Sequence, residues 1–491
     1  MGNNVQESFD RLRAYCEAEN YKGWDPYDGL NSKLAHALLP LKHSAIMRLC
    51  IIQGFKRCPV NLRKLALVPK EYNAKGIGLF LQGYVNLLKL VRSSNGLNGL
   101  KGFGTEEELE AKVREIANLL ISLRSDTLLN SSNHLNSSEP SPYHGACWGY
   151  NFDWQARRLF LFPAYTPTVV ATNFCATALL EAYEVLKEGS SFDYATSTSL
   201  STSQEPNGSK SLSGSKGYDD IEKYKEIALS AAEFVVQDLH RYYPEEGNKD
   251  KFLFSYSKLP GNDTVFNASL LGSRLLANCY KYTGKEVYLK AARASVKACV
   301  EGQAEDGSWV YGLLPVQSWI DSFHTGYNLD GLIAYYENCI LGKEDNLSNS
   351  SNNSNSSNSE ERMVREAIEK GLKFYLENHF EKDGTPKYYH NKMYPIDIHC
   401  PGQLFVTLAR LHKFGENREL AEKVMQWVIK NMQDKKGYFY YQLKPGMSSK
   451  ISYMRWSNAF MFCAMTYYLL EQEGLSVSNS LNGLNSSESS K

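Results

Sequence analysis

The 491-residue sequence has no excess of charge of either sign, because 54 Lys and Arg residues balance 54 Asp and Glu residues. A nucleic-acid-binding protein normally carries a basic excess that neutralises phosphates, so this class is not expected. The ten cysteines are scattered singly without any CxxC pair, which argues against a disulfide framework and indicates reduced, buried thiols. Phosphate-loop and dinucleotide-binding fingerprints are also missing.

Long apolar runs and a leader segment are not apparent either. The apolar run 45–54 contains Arg48 and is too short to span a membrane. The first ten residues have neither a basic stretch nor an apolar stretch, as a secretory signal would. We therefore expect a cytoplasmic protein without a membrane span.

Five segments are rich in Ser, Asn and Gly and poor in large apolar residues: 93–104, 127–141, 189–217, 344–360 and 476–491. Such segments cannot offset their ordering entropy by burying apolar surface. We therefore predict a single domain over residues 1–475 with four low-complexity inserts, followed by a disordered tail.

The remaining sequence has the apolar spacing of amphipathic helices. Thr105 and Glu108 form a capping-box pattern before an apolar stripe of Leu109, Val113, Ile116, Leu120 and Leu123. A similar stripe comprises Ile221, Tyr224, Ala228, Ala231 and Val235. Segments 286–300, 361–379 and 417–432 are further amphipathic candidates, so the chain is predicted to be mostly α-helical.

An internal repeat organises these helices. Each unit has a short aromatic stretch, an irregular loop and a helix that opens with small or polar residues. The aromatic stretches lie at 148–154, 252–256, 309–311, 388–389 and 438–441. Phe254 and Trp309 are 55 positions apart, and Tyr389 and Tyr440 are 51 apart. This period predicts stacked helical hairpins, six or seven of which close a ring with the aromatic loops gathered at one mouth.

The segment Gln303–Trp309 is similar to the QxxxGxW repeat of toroid terpene cyclases, although the DxDD acid motif of those enzymes does not occur. With the repeated unit, it makes residues 143–473 resemble an α/α-toroid of the six-hairpin glycosidase-like superfamily. The chain is also similar to uncharacterised toroid proteins of polysaccharide-biosynthesis gene clusters. The resemblance implies an all-α (α/α)6 toroid with short aromatic β-like loops at one mouth. It also implies an oligosaccharide or polysaccharide intermediate as partner, and no cofactor.

Six of the seven tryptophans fall in the predicted mouth segments: Trp24, Trp148, Trp154, Trp309, Trp319 and Trp456. Aromatic side chains at one rim are suited to stacking against the flat apolar faces of sugar rings. The alternative interpretation is that hairpin loops need aromatic plugs to seal the ring.

Carboxylates in the same segments suggest glycoside hydrolysis, which needs one carboxyl kept protonated and another ionised. Asp153, between two mouth tryptophans, and Asp321 are the predicted acid and base. Asp330 and Asp397 are predicted to bind substrate, and Asp321 and Asp397 are also candidates for helix N-caps.

Two further aspartates have a different expected role. Asp306 and Asp383 each precede a glycine, a pattern that is more typical of turns. They are therefore not candidates for catalysis.

A second chemistry uses the histidines at the predicted inner-helix starts. His324, His399 or Tyr389 could remove the proton at C5 of an acidic sugar while Arg455 or Asn173 holds its carboxylate. This is the chemistry of uronate lyases and epimerases.

Two alternatives remain open. Segments 143–149 and 397–400 contain His144, Cys147, His399 and Cys400, which distantly resemble the zinc ligands of lanthionine-synthase toroids. No CxxC or HExxH anchors such a site, so no metal is predicted. A non-catalytic glycan-binding toroid would keep the aromatic rim without needing paired carboxylates.

Overall fold

The computed structural model describes residues 2–38, 44–93, 102–127, 141–155, 161–199, 212–343 and 354–488. Its helices are α1 Gly2–Ala18, α2 Lys33–Leu38, α3 Ala45–Arg57, α4 Ala74–Ser93, α5 Glu106–Ser122, α6 Val169–Ser199, α7 Leu212–Glu233, α8 Phe266–Thr283, α9 Glu286–Glu301, α10 Ser322–Tyr335, α11 Ser354–His379, α12 His399–Arg410, α13 Arg418–Met432 and α14 Phe460–Glu488. Three antiparallel two-stranded sheets pair β1 Trp154–Gln155 with β2 Leu161–Phe162, β3 Arg241–Tyr242 with β4 Leu253–Phe254, and β5 Ile396–Asp397 with β6 Gln442–Leu443.

The helices form two concentric rings. The inner ring is α4, α6, α8, α10, α12 and α14, in which each helix packs on the next and α14 packs on α4. The outer helices α5, α7, α9, α11 and α13 pack on successive inner helices, and α1 covers α14. The prediction of an all-α (α/α)6 toroid is confirmed.

The two ends of the described chain close the ring, because α1 is the outer helix for α14. The hydroxyl of Ser8 on α1 donates to Oε1 of Gln433 at 2.7 Å, and Nε2 of Gln433 donates to the carbonyl of Ser8 at 2.8 Å. The repeat did not indicate this pairing, since its two helices lie at opposite ends of the sequence.

The predicted amphipathic stripes face one continuous apolar core. Thr105 caps α5 in a capping box, and Leu109, Val113, Ile116 and Leu120 are buried, as predicted.

Eight of the ten cysteines are buried, and all ten are free thiols. Val169–Gly189 is long and apolar enough to cross a membrane, but 89% of its most apolar window is buried, as in the core helix of a globular domain.

Several helices continue into segments that we predicted to be irregular. Helix α6 extends to Ser199, α7 begins at Leu212, α11 begins at Ser354 and α14 extends to Glu488. A helix satisfies its backbone through local hydrogen bonds, so it can continue through polar sequence. The remaining parts of these segments, 94–101, 128–140, 200–211, 344–353 and 489–491, lie outside the described residues.

The QxxxG part of the motif holds neighbouring hairpins together. Nε2 of Gln303 donates to the carbonyl of Gly307 at 2.9 Å and to that of Ala367, on the next outer helix, at 3.0 Å. Gln433 repeats the arrangement, donating to Gly437 of its own turn at 3.0 Å and to Ser8 on α1. The resemblance to QxxxGxW therefore reflects a structural joint between repeats.

The glycines of these joints have no room for a side chain. Gly307 has φ +90°, and a Cβ there would lie 2.3 Å from the Lys370 carbonyl oxygen. Gly437 has φ +100°, and a Cβ there would lie 2.2 Å from the Arg11 carbonyl oxygen.

The carboxylates of Asp306 and Asp383 accept hydrogen bonds from the backbone nitrogens two residues later in the sequence, at 3.0 and 2.9 Å. Both aspartates are turn residues, as predicted.

Replacing Gly437 with alanine is expected to destabilise the protein by about 1–3 kcal/mol more than replacing Gly446 with alanine. Both glycines have positive φ, so both substitutions carry the left-handed strain, but nothing lies within 4 Å of a Cβ at Gly446. Urea denaturation of the two variants isolates the cost of the clash. Equal stabilities would show that α1 moves aside freely.

Candidate functional site

A cavity of about 420 Å³ opens where the N-terminal ends of the six inner helices converge. Each inner helix, or the turn that leads into it, contributes to the wall through Lys75, Val170, Asn267, His324, His399 and Trp456, in chain order. Aromatic side chains from the mouth loops complete the wall. The predicted gathering of aromatic loops at one mouth is therefore observed.

Three of the predicted tryptophans line this cavity. Trp154 stacks on Phe162 with ring centroids 5.0 Å apart, and Trp319 stacks on Tyr311 at 4.4 Å. The indole nitrogen of Trp456 donates to the Asp397 carboxylate at 2.8 Å. These contacts fix the ring orientations, which suits them to stacking against a sugar.

Two other tryptophans lie in the core, so their predicted position at the cavity is corrected. The indole of Trp148 donates to the Leu120 carbonyl at 2.9 Å, and that of Trp309 donates to the Cys299 carbonyl at 2.8 Å. Both rings are buried against helices, as in the alternative that aromatic plugs seal the ring. Asn173, on the second turn of α6, is fully buried and does not line the cavity.

The cavity wall carries positive charge. Lys56, Lys75 and Arg455 line it together with two histidines, while none of the described lining residues is Asp or Glu. The N-terminal ends of the inner helices add partial positive charge in the same direction. Burial, with the positive charge of Arg455, lowers the pKa of Lys75 well below its usual range, so Lys56 and Arg455 are the side chains that favour an anionic ligand.

Arg455 is held by a buried carboxylate behind the wall. Its Nε and Nη2 donate to the two oxygens of Asp25 at 2.6 and 2.9 Å. Burial alone would lower the pKa of Arg455, but the Asp25 carboxylate raises it above its usual range. Arg455 therefore stays charged at the cavity wall.

His324 and Asp321 form a hydrogen-bonded pair at the start of α10. Asp321 is the N-cap of the helix and accepts from the backbone nitrogen of His324 at 3.1 Å, so the predicted cap is confirmed. Its Oδ2 lies 2.7 Å from Nδ1 of His324 and accepts from the Trp319 indole at 2.9 Å. With the proton on Nδ1 facing the carboxylate, Nε2 can accept a proton. This geometry suits a general base.

His399 belongs to a second chain of polar groups. Nζ of Lys75 donates to the Tyr327 hydroxyl at 2.9 Å, and that hydroxyl lies 2.7 Å from Nε2 of His399. Burial, with the positive charges of Lys75 and Arg455, lowers the pKa of His399 well below its usual range. Burial also raises the pKa of Tyr327 well above its usual range. A neutral histidine and a protonated tyrosine therefore face each other.

Asp153 and Asp397 lie outside the cavity wall, which corrects their predicted position. Asp153, just before β1, accepts from the backbone nitrogen of Ala164, just after β2, at 2.7 Å. Asp397 is fully buried and accepts from Gln442 at 2.7 Å, from the backbone of His399 and from Trp456. Asp397 was expected to contact substrate, but Trp456 lies between it and the cavity.

Asp330 also lies away from this cavity. It borders a second cavity, of about 410 Å³, among the C-terminal halves of the inner helices. Its carboxylate accepts from Gln403 at 3.1 Å and from Thr407 at 2.9 Å, and Arg410 is 3.8 Å away. Burial raises the pKa of Asp330 to about 7 despite these two hydrogen bonds, which lower it.

Replacing Asp330 with asparagine should flatten the dependence of stability on pH. Because the folded-state pKa lies above the unfolded value, Asp330 contributes stability below about pH 4 that is lost as pH rises through about 7. The wild type should lose on the order of 2–3 kcal/mol from this group between about pH 5 and about pH 8. Urea denaturation of both proteins at these pH values measures the difference. Parallel curves would contradict the raised pKa.

The residues named for a zinc site are not arranged as one. Across the described ranges, no three His, Cys, Asp or Glu side chains come together as metal ligands would. His144 instead pairs with Asp238 at 3.1 Å. Burial raises the pKa of the Cys147 and Cys400 thiols, which opposes the thiolate form that zinc binds.

Sequence reasoning missed Lys75, Tyr327 and the Tyr150–Tyr256 pair, whose hydroxyls are 3.3 Å apart in the cavity wall. Tyr327 lies one helical turn after His324, so the predicted helix start could have identified it. Lys75 gave no such signal, because the repeat is faint in the N-terminal part of the chain.

No protein-family profile matches the chain, and no curated protein matches it in sequence. An unsaturated glucuronyl hydrolase specific for heparin matches its fold with a TM-score of 0.50 at 10% identity, over 96% of this chain and 97% of that one. A GH76 α-mannanase from Bacteroides thetaiotaomicron and cellobiose 2-epimerase from Bacillus thermoamylovorans have TM-scores of 0.45 and 0.46 at 11% identity. Each covers 82% of this chain, with 88% and 90% of its own length matched. The chain therefore shares the (α/α)6 toroid fold of the unsaturated glucuronyl hydrolase.

Proposed function

We propose that the protein removes the proton next to the carboxylate of an acidic sugar, as a uronate epimerase or lyase does. The observation that carries this proposal is the cavity wall, in which His324 is oriented by Asp321 beside Lys75 and Arg455. The aromatic side chains would hold the sugar ring, and the cations would hold its carboxylate.

In this proposal, Nε2 of His324 takes the proton from C5 of the uronate. The Arg455 guanidinium stabilises the negative charge that develops on the carboxylate as the C–H bond breaks, and Nζ of Lys75 donates a hydrogen bond. Tyr327 then gives its hydroxyl proton to C5, which yields the epimer. Alternatively, the bond between C4 and its oxygen substituent breaks, the departing oxygen takes the Tyr327 proton, and a C4–C5 double bond forms. In either case His324 releases the C5 proton to water and Tyr327 regains a proton from water. Both outcomes share the first step.

The hydrolase hypothesis has less support from this geometry. Hydrolysis by two carboxyl groups needs an acid and a base that flank the scissile bond. The Asp321 carboxylate is already hydrogen-bonded to Trp319 and His324. Asp153 accepts a hydrogen bond from a backbone nitrogen outside the cavity. The link to polysaccharide biosynthesis and the cytoplasmic location stay predictions.

The test is incubation of the protein with a panel of uronate-containing and neutral oligosaccharides in D2O. We expect deuterium at C5 of a uronate by NMR, or ultraviolet absorbance from a conjugated double bond, and neither signal from neutral sugars. New reducing ends without exchange would establish hydrolysis instead. Saturable binding without any reaction would establish a glycan-binding protein.

A further inference from the structure

One segment departs strongly from the balanced charge of the chain. Residues 29–70 contain eight Lys and Arg residues and no Asp or Glu, although the whole chain has a net charge of zero. The segment includes α2, α3 and the loop that follows, all between the first outer helix and the first inner helix. Three of these basic residues, Lys33, Arg57 and Lys64, are exposed. Their positive charges attract an anionic partner.

The described parts of this segment, 29–38 and 44–70, form a cap with a small core of its own. Leu30 and Ile52 are buried in a cluster separate from the main core, with Ala35, Met47 and Trp154 packed around them. The hydroxyl of Ser32 donates to the carbonyl of Ala66 at 2.6 Å, which ties the start of α2 to the loop. The two short helices and the loop therefore present one connected surface.

The outward side of the cap is apolar as well as basic. Leu38, Ile46 and Leu65 are 70%, 76% and 75% exposed. We define the cap surface as these three residues and their exposed neighbours Leu34, Val60, Leu62, Leu67, Lys33, Arg57 and Lys64. It holds seven of the fifteen exposed large hydrophobic residues in the described part of the chain.

We propose that the cap surface docks the protein on an anionic lipid bilayer. Leucine and isoleucine side chains enter the boundary between headgroups and acyl chains, and lysine and arginine pair with lipid phosphates. A lipid surface fits better than a protein partner because the exposed side chains come from two short helices and a loop. Helix α3 also supplies Gln53 and Lys56 to the cavity wall, so docking holds that wall close to the lipids.

The test is flotation of the full chain with vesicles of phosphatidylcholine alone or with added phosphatidylglycerol. We expect binding to the anionic vesicles only, weakened by raised salt. The double variant Ile46→Ser, Leu65→Ser should lower the vesicle affinity by roughly tenfold or more. The matched control Val287→Ser, Met447→Ser removes exposed apolar side chains outside the cap and should bind as the wild type does.

Circular dichroism and thermal melting check that both double variants are folded. Absence of vesicle binding by the wild type, or equal losses in the cap and control variants, would overturn the proposal. Binding only to another protein would do the same. Because vesicle flotation needs no turnover, its outcome is independent of the proposed reaction.

Discussion

Replacing Asp25 with alanine is expected to lower the free energy of unfolding by about 3–5 kcal/mol, because it leaves the Arg455 guanidinium buried without its carboxylate. Both oxygens of Asp25 are engaged by Arg455, and both side chains are buried. The pair joins residues 430 positions apart and thus helps to close the ring. Urea denaturation of the variant measures the loss.

The control is Asp250→Ala, which removes an exposed carboxylate and should change stability by no more than about 0.5 kcal/mol. The double variant Asp25→Ala, Arg455→Gln removes both charges, so its loss should be smaller than the sum of the losses in the single variants Asp25→Ala and Arg455→Gln. Additive losses would mean that the two charges do not stabilise each other, and a near-neutral Asp25→Ala would contradict the expected cost of burying Arg455 alone.

Replacing His324 with glutamine should lower the rate of C5 proton exchange by about 100- to 10,000-fold, the usual contribution of a general base. Glutamine fills a similar volume but cannot accept the proton. Because the proposed substrate would also contact Lys75, Arg455 and the aromatic side chains, KM should change far less than kcat. The measurement is the exchange rate, in D2O, of the uronate identified by the panel.

Asp321→Asn tests the positioning of the base. Without the carboxylate, the Nδ1 proton of His324 loses its partner, so kcat should fall with little change in KM. His412→Gln is the matched control, because His412 is exposed on the far end of the toroid and should leave the rate unchanged. An unchanged rate in His324→Gln would assign the base to another residue, with Tyr389 and His399 the next to test.

The N-cap position of Asp321 and the turn positions of Asp306 and Asp383 were predictable because caps and turns are local. Their backbone donors lie two or three residues away in the sequence. The sequence did not predict that Trp148 is buried in the core while Trp154 lines the cavity, because both belong to one aromatic stretch. Trp148 faces the core because its indole donates to Leu120 on α5, and Trp154 faces the cavity because its strand pairs with β2. Both contacts are made with other segments of the chain, so the stretch alone does not indicate them.

The sequence by itself determined the helical hairpins, their repeat and the convergence of aromatic loops at one mouth. These follow from apolar spacing, capping residues and turn glycines, each of which acts over a few residues. Only the tertiary structure decided that Asp25 pairs with Arg455, that Lys75 contacts Tyr327, and that none of the predicted carboxylates lines the cavity. The physical reason is that burial and charge pairing in a closed ring join side chains hundreds of residues apart. Local sequence patterns do not indicate which distant residues will come into contact.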